Sequence, residues 1–345
     1  MQVVAGLSLK NLQPRVWDPD SPYFLPFLKS VMVSYADFHQ MPARMKLAMK
    51  KGLHDYLGVP VTTKVYLDNG AFYFLRNSGE AERRLYCRFL KAAKPDWYPI
   101  PFDAIPTPGM SLAEQRRCFD MTMKINLNYQ HDGYVPVIHV CQLLNEYTAR
   151  LLGHPKLSTK TRLALGGIVP NLLRAPKALP FEEILRALRQ VRRAFCDKEV
   201  HVFGIGGTAT LHVAGLLGID SVDSSGWRNR AARGIVQLPG SGDRVVADLG
   251  KWRGRRPSEE EWKVLKRCRC PACSEFGSKG LKRSGIKGFS NRACHNLYVL
   301  LDEARWIDKH LVNESYDQNY QRRLNNTTYL PLIKRMVKER REGSP

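Results

Sequence analysis

Short apolar runs rich in β-branched and aromatic residues recur along the first two thirds of the chain, and stretches with helical periodicity separate most of them. Eight runs read as strands: residues 3–9 (VVAGLSL), 30–35 (SVMVSY), 64–68 (KVYLD), 97–103 (WYPIPFD), 134–140 (YVPVIHV), 163–169 (LALGGIV), 199–205 (EVHVFGI) and 220–224 (DSVDS). Helices are expected over 41–53, 80–93, 111–128, 180–195 and 207–217, the third opened by a Ser111 and Glu114 capping box. Strands alternating with helices argue for a parallel sheet. Eight such units in roughly 230 residues is the size of a (β/α)8 barrel of the TIM type, with an open doubly wound sheet as the alternative. No short period repeats, so a solenoid is not expected.

After the last strand the pattern changes. RNRAARGIVQLPGSGDRVV and KWRGRRP, rich in Gly, Arg and Pro, read as a linker, and YLPLIKRMVKERR reads as a basic, amphipathic tail helix packing along the barrel. The division expected is a catalytic barrel over 1–250 and, over 251–345, a zinc-binding basic subdomain with C-terminal helices packed on the barrel.

Charge sharpens this picture. The 345 residues carry 54 Lys and Arg against 32 Asp and Glu, a net charge of +22. Such an excess favours a polyanionic partner over mere solubility. Residues 251–292 alone hold thirteen basic side chains against four acidic ones. That density suits a module that grips phosphates. There is no apolar stretch near eighteen residues and no signal-peptide pattern, so neither a membrane partner nor export is expected.

The same basic region contains Cys268, Cys270 and Cys273 within CRCPAC, followed by His295. Three thiols and one imidazole complete a tetrahedral zinc site and leave no position for water, so a structural Zn2+ is expected, clipping the Cys loop to a helix beginning near Ala293. Cys294 competes for the fourth position, but its side chain points about 100° around the helix from His295. The other cysteines are scattered and form no disulfide framework, consistent with a reducing, cytoplasmic setting.

In a parallel barrel, chemistry collects where strands end. The polar residues there are Asp68 in LDNGAF, Asp103 in PFDAIP, Gln142 after VIHVC, Gly166 and Gly167 in LALGGI, Gly206 and Gly207 in FGIGG, and Asp223 in GIDSVDS. Each aspartate alone suits a turn or a helix cap. Together they supply the carboxylates that glycosyl transfer through a covalent intermediate requires. GIGG reads as a tight strand-to-helix turn, and His139 and His201, inside apolar runs, read as satisfied core residues.

These motifs resemble the tRNA-guanine transglycosylase superfamily: LDNGAF is similar to its LDSGGF, PFDAIP to its FDE, LALGGI to its AVGGL, GIDSVDS to its GIDMFDC, and CRCPAC with the later His-Asn to its zinc box. The resemblance implies a (β/α)8 barrel that removes guanine from a polynucleotide and inserts a 7-deazaguanine base. It implies Asp223 as nucleophile and Asp68 as general acid and base. Asp103, Gln142, Gly166 and Gly167 would bind the base, and Cys268, Cys270, Cys273 and His295 the zinc. After Asp223 the superfamily's tRNA enzymes continue with Pro-Thr-Arg, whereas this chain has Ser224-Ser225-Gly226-Trp227-Arg228, and Asn69 and Ala71 stand where Ser and Gly are usual. These departures look similar to the DpdA-type branch, which places 7-cyano-7-deazaguanine into DNA in bacterial and phage DNA-modification systems. A DNA-guanine transglycosylase is therefore the expectation, with DNA as partner and a homodimer or helper protein compatible with it. The alternatives are the same exchange on tRNA, of queuosine or archaeosine type, and a non-enzymatic zinc-containing nucleic-acid-binding protein. The acidic strand ends speak against the last, because a pure binder of phosphates has no use for them.

Overall fold

Seven of the eight apolar runs fold as strands in the computed structural model, which describes residues 1–76, 82–131, 133–169, 178–250, 252–324 and 327–342. They are β1 (Gln2–Gly6), β2 (Ser30–Ser34), β3 (Lys64–Asp68), β4 (Val137–His139), β5 (Arg162–Gly166), β6 (Glu199–Val202) and β7 (Ser221–Ser224). The run 97–103 joins the sheet only through parallel bridges, Trp97 with Tyr66 and Pro99 with Val135. The chain divides into two units, one of Met1–Lys29, Gly206–Gly218 and Asp223–Pro345, the other of Ser30–Ile205 with Ile219–Val222.

The second unit is a curled parallel half-barrel. β2 pairs with β3 from Ser30 opposite Lys64 to Ser34 opposite Asp68, and β4, β5, β6 and β7 pair in succession. The bridges at Trp97 and Pro99 connect the two sets. Strand order follows the chain without the reversal that a doubly wound sheet requires, so the fold is of the α/β barrel class. Val31, Val33, Val65, Leu67, Ile138, Leu165, Val200 and Val202 are all buried. Burying each such side chain contributes about 1.5–3 kcal/mol before entropy is counted. The helices Leu112–Asn128, Phe181–Ala194 and Arg83–Ala93 lie within a residue or two of expectation, except that positions 80 and 81 fall outside the described residues. The expected helix over 41–53 ends at Lys51, because Gly52 turns the backbone to φ 82°, and a short helix Leu53–Leu57 follows. His201, as expected, is buried in the core, with Nδ1 2.9 Å from Ser221 Oγ.

The first unit is built around one helix, Gly285–Val312, most of which is buried. It begins eight residues before the expected start, so His295 sits inside the helix and not at its mouth. Two of its polar side chains make bonds that helices ordinarily lack. Arg292 donates to the carbonyls of Ala231, Leu281 and Arg283, and Asn296 donates to those of Trp227 and Ile235 while accepting from Gln237 N–H. The stretch read as a linker is an antiparallel hairpin, β8 (Ile235–Leu238) with β9 (Gly242–Val245). Two of its glycines mark tight packing and not slack: a Cβ on Gly234 would collide with the Ala247 carbonyl, and one on Gly240 with that of Arg323. The tail helix, Leu330–Arg341, buries Ile333, Met336 and Val337 and packs on the helix Thr208–Leu216.

Glu303 ties that tail down. Its carboxylate, fully buried, takes hydrogen bonds from Arg323 and the Gly240 N–H and lies 2.7 Å from His212 Nε2, whose Nδ1 lies 2.7 Å from Tyr316 Oη. Burial alone would raise its pKa, but the bond with His212 and the Arg323 charge outweigh it, so the carboxyl is held below its ordinary value. A carboxylate with a depressed folded pKa contributes stability above its unfolded value, about 4.3, that is lost as pH falls through the folded value. Glu303→Gln should therefore cost about 3 kcal/mol or more at neutral pH in chemical denaturation. Acidification below that range should narrow the difference from the wild type; a gap that stays constant would show that Glu303 is not the group involved.

Candidate active site and metal centre

The parallel strands of the second unit all run the same way, so their carboxyl ends lie side by side. Hydrogen bonds stitch those ends together laterally. Ser34, ending β2, donates from Oγ to Asp68 Oδ2 at 2.9 Å, and the Gly70 N–H reaches the same oxygen at 3.1 Å. Asn69, the next residue, is buried and donates from Nδ2 to Ile100 O at 2.9 Å and to Asp103 Oδ1 at 2.7 Å. The other Asp103 oxygen lies 3.0 Å from His139 Nε2, at the end of β4. One row thus runs from β2 through β3 and the 97–103 segment to β4.

Gly166, ending β5, leaves room for that histidine. A Cβ there would lie 2.8 Å from His139 Nδ1 and 2.9 Å from its Cε1. Gly167 adopts φ 77° against the Val140 backbone, a conformation that favours glycine. The structure therefore brings Asp68, Asp103, Gly166 and Gly167 into one connected row. Gln142 is exposed, and only its backbone N–H is fixed, donating to Gln115 Oε1 at 3.1 Å. Asn69, Ser34 and His139 are participants that sequence reasoning missed. Asn69 was visible only as a departure from a motif, and His139 was read as a core histidine because nothing in the sequence sets it beside Asp103.

Asp223 belongs to the other unit and is half-buried near the end of β7. Its neighbours fix the backbone on both sides. Ser224 Oγ donates to Gly206 O at 2.7 Å and accepts from Gly226 N–H at 3.2 Å. A Cβ on Gly206 would lie 2.7 Å from Asp223 O, so the glycine-rich turn packs directly on the strand end. Gly207 N–H donates to Thr210 Oγ1 at 2.9 Å as the Thr208–Leu216 helix starts, which is the strand-to-helix role expected of GIGG. Trp227 Nε1 donates to Gly6 O at 3.1 Å, and Arg228 donates to the carbonyls of Asn11 and Gln13. Burial pulls the Arg228 guanidinium down to about 10. The Ser224–Arg228 segment thus faces its own N-terminal loop.

Cys268, Cys270, Cys273 and His295 cluster in the same unit, with all four ligand atoms within 4.8 Å of one another. His295 Nδ1 lies 3.4, 3.8 and 3.5 Å from the sulfurs of Cys268, Cys270 and Cys273. An ion holding sulfur at about 2.3 Å and nitrogen at about 2.0 Å in a tetrahedron separates them by about 3.5 Å, so the donor set fits. His295 Nε2 lies 3.0 Å from Gln237 O in the hairpin, which fixes the tautomer with Nδ1 facing the sulfurs. Cys270 caps the helix Pro271–Lys282, its sulfur accepting from Cys273 N–H at 3.3 Å. Hydrogen bonds from Cys268, Cys273 and Cys294 pull the Cys270 thiol far down. Burial opposes charge on His295, and the Cys268 and Cys270 sulfurs overcome it, lifting the imidazole to about 10. Cys294 is not among the four clustered ligands; its thiol contacts Cys270 and lies 3.7 Å from Tyr23 O.

A parallel α/β half-barrel with carboxylates at its strand ends, on a chain that also carries a Cys3His cluster, defines a narrow class of proteins. Residues 141–329, more than half of the chain, match the family model described as queuine tRNA-ribosyltransferase (TGT), and the chain belongs to that family. It is 25% identical over 286 residues to the tRNA-guanine(15) transglycosylase of Pyrococcus abyssi, a match covering 79% of this chain and 44% of the relative. The Pyrococcus furiosus protein of the same name is 26% identical over 281 residues, covering 78% and 43%. That of Archaeoglobus fulgidus is 27% identical over 162 residues, covering 46% and 30%. The chain thus spans less than half the length of these relatives.

The contact between Gly166 and His139 gives a direct test. Gly166→Ala should cost about 1–3 kcal/mol in thermal or chemical denaturation, because the new methyl displaces the ring. In a His139→Ala background the same substitution should cost almost nothing. Equal costs in both backgrounds would show that the ring does not occupy this space.

Proposed function

We propose that the protein is a guanine transglycosylase that acts on tRNA. The observation that carries this reading is the family match over residues 141–329, a span that includes Gln142, Gly166, Gly167, Asp223 and all four members of the Cys3His cluster. The relatives' names, each a tRNA-guanine transglycosylase, support tRNA over the expected DNA. The Ser224–Arg228 departure is weak support for DNA, since the side chains of Ser224, Trp227 and Arg228 make contacts within the protein.

In the proposed reaction the target guanosine leaves its stack, because a paired helix hides the sugar carbon. The Asp223 carboxylate bonds to C1′ as the bond from C1′ to guanine breaks, and Asp68 protonates the departing base. The incoming base gives its proton back to Asp68 and displaces Asp223 from C1′. Two displacements retain configuration. Asp103, held by the Asn69 hydrogen bond with His139 Nε2 3.0 Å from its other oxygen, reads the donor edge of the guanine ring. Gln142 is the proposed second side chain to bind the base. The backbone at Gly166 and Gly167 is the proposed main-chain contact to the base. A 7-deazaguanine shares that edge and is the proposed incoming base.

Zn2+ is the proposed occupant of Cys268, Cys270, Cys273 and His295. With four protein ligands it contributes folding energy and no open coordination position. Metal analysis should find about one zinc per chain, and Cys270→Ser should lose it together with thermal stability. A Cys270→Ser protein that stays folded at the wild-type melting temperature would overturn the structural role.

The activity test is nucleoside mass spectrometry after incubating the zinc-loaded protein with 7-cyano-7-deazaguanine and either tRNA or DNA, alongside labelled-guanine exchange. Modified ribonucleoside is expected, and Asp223→Ala should reduce it by about 10^4-fold or more. Modified deoxynucleoside alone would restore the DNA reading. Labelled guanine entering neither polymer would sink the transglycosylase reading.

A further inference from the structure

A cavity of about 750 Å³ opens in the second unit between the helix Arg83–Ala93 and the turn at residues 128–131. None of its lining residues belongs to the row of strand-end carboxylates. Its walls are held by half-buried contacts: the Tyr129 hydroxyl receives the Cys87 thiol at 3.4 Å, while His131 Nδ1 is hydrogen-bonded to Tyr98 Oη. Arg83, Arg84, Arg88 and Lys91 line it, with Asn128 and Gln130 facing them as neutral hydrogen-bonding groups. Glu82 is the one carboxylate in the described lining.

The spacing of these cations works against the helix. Arg84, Arg88 and Lys91 lie four and three residues apart, so they share one face and repel one another. Among the described residues none of the three has a carboxylate in ion-pair range. Some other arginines of this unit are paired, as Arg116 with Glu146 and Arg162 with Glu199. Unpaired like charges gathered around a concave wall are stabilised by an anion entering it. Guanidinium groups favour phosphate because their fork of donors matches its oxygens.

We propose that this cavity is a phosphodiester subsite, gripping the backbone of the nucleic acid at a distance along the strand from the exchanged base. The proposal rests on the reading of the protein as one that acts on a polynucleotide, and it adds a contact surface that the base-exchange residues do not provide. Each phosphate neutralised releases condensed counterions, so its contribution is salt-dependent.

The test is equilibrium binding of a labelled RNA hairpin to the zinc-loaded full chain across a salt series, comparing Arg84→Gln/Arg88→Gln/Lys91→Gln with the wild type. The control is Lys46→Gln/Lys50→Gln/Lys51→Gln, which removes the same charge from the exposed helix Pro42–Lys51. Three lost phosphate contacts should flatten the slope of log K against log salt by about 2–3. Affinity near physiological salt should fall more than tenfold, beyond the loss in the control. Equal losses in the two variants would overturn the subsite. So would a lower melting temperature in the Arg84 triple variant, because removal of repelling charges should leave it unchanged or higher. The readout needs no base exchange, so inactive protein that still shows the difference would sink the catalytic reading and leave the subsite standing.

Discussion

A polar side chain inside a helix-packed core must find a partner for each hydrogen-bonding group or carry a desolvation cost. The first unit is arranged around that constraint. Its central helix, Gly285–Val312, presents Asn291, Arg292, His295, Asn296 and Glu303 to the interior, and each reaches a different piece of chain. Gly280, Ala231, Gln237, Trp227 and His212 are thereby fixed relative to one backbone. Hydrophobic contacts alone would tolerate sliding, whereas these directional bonds specify one register for the hairpin, the Cys loop and the tail.

The half-barrel uses the same device at its strand ends. Hydrophobic runs decide where β2 to β6 lie, but they say nothing about which polar end groups meet. The Ser34–Asp68 contact follows from the parallel register, which sets those two residues opposite each other. Asn69 then spans the gap to Asp103 because a residue one past a strand end can turn sideways into the next loop. The carboxylate of Asp103 is gripped on one side by Asn69 and approached on the other by His139, an arrangement suited to presenting a fixed acceptor to a planar ligand.

How much of this was legible depended on range. The strands could be read because a buried parallel strand is a continuous apolar run, and the helix Leu112–Asn128 because Ser111 and Glu114 cap it reciprocally. The metal cluster was legible because three of its ligands fall within six residues. The β8–β9 hairpin was not, since its glycines look like breakers until Ala247 and Arg323 are seen to fill the space where their side chains would be. His139 was legible as a core residue, but not its neighbour Asp103, which comes from a loop over thirty residues away in the chain.

The segment after Asp223 shows that a departure from a motif can reflect packing within the protein. Ser224 and Arg228 bound the segment that stands where the superfamily's tRNA enzymes continue with Pro-Thr-Arg, a departure on which the expectation of DNA rested. Their donors are directed instead at Gly206, Asn11 and Gln13, all within the same unit. A buried arginine whose donors are taken by backbone carbonyls has few left for a phosphate. What this segment does for the proposed chemistry is therefore indirect: it fixes the backbone that follows Asp223, and the proposed nucleophile, held on a fixed strand end, loses less entropy on attack.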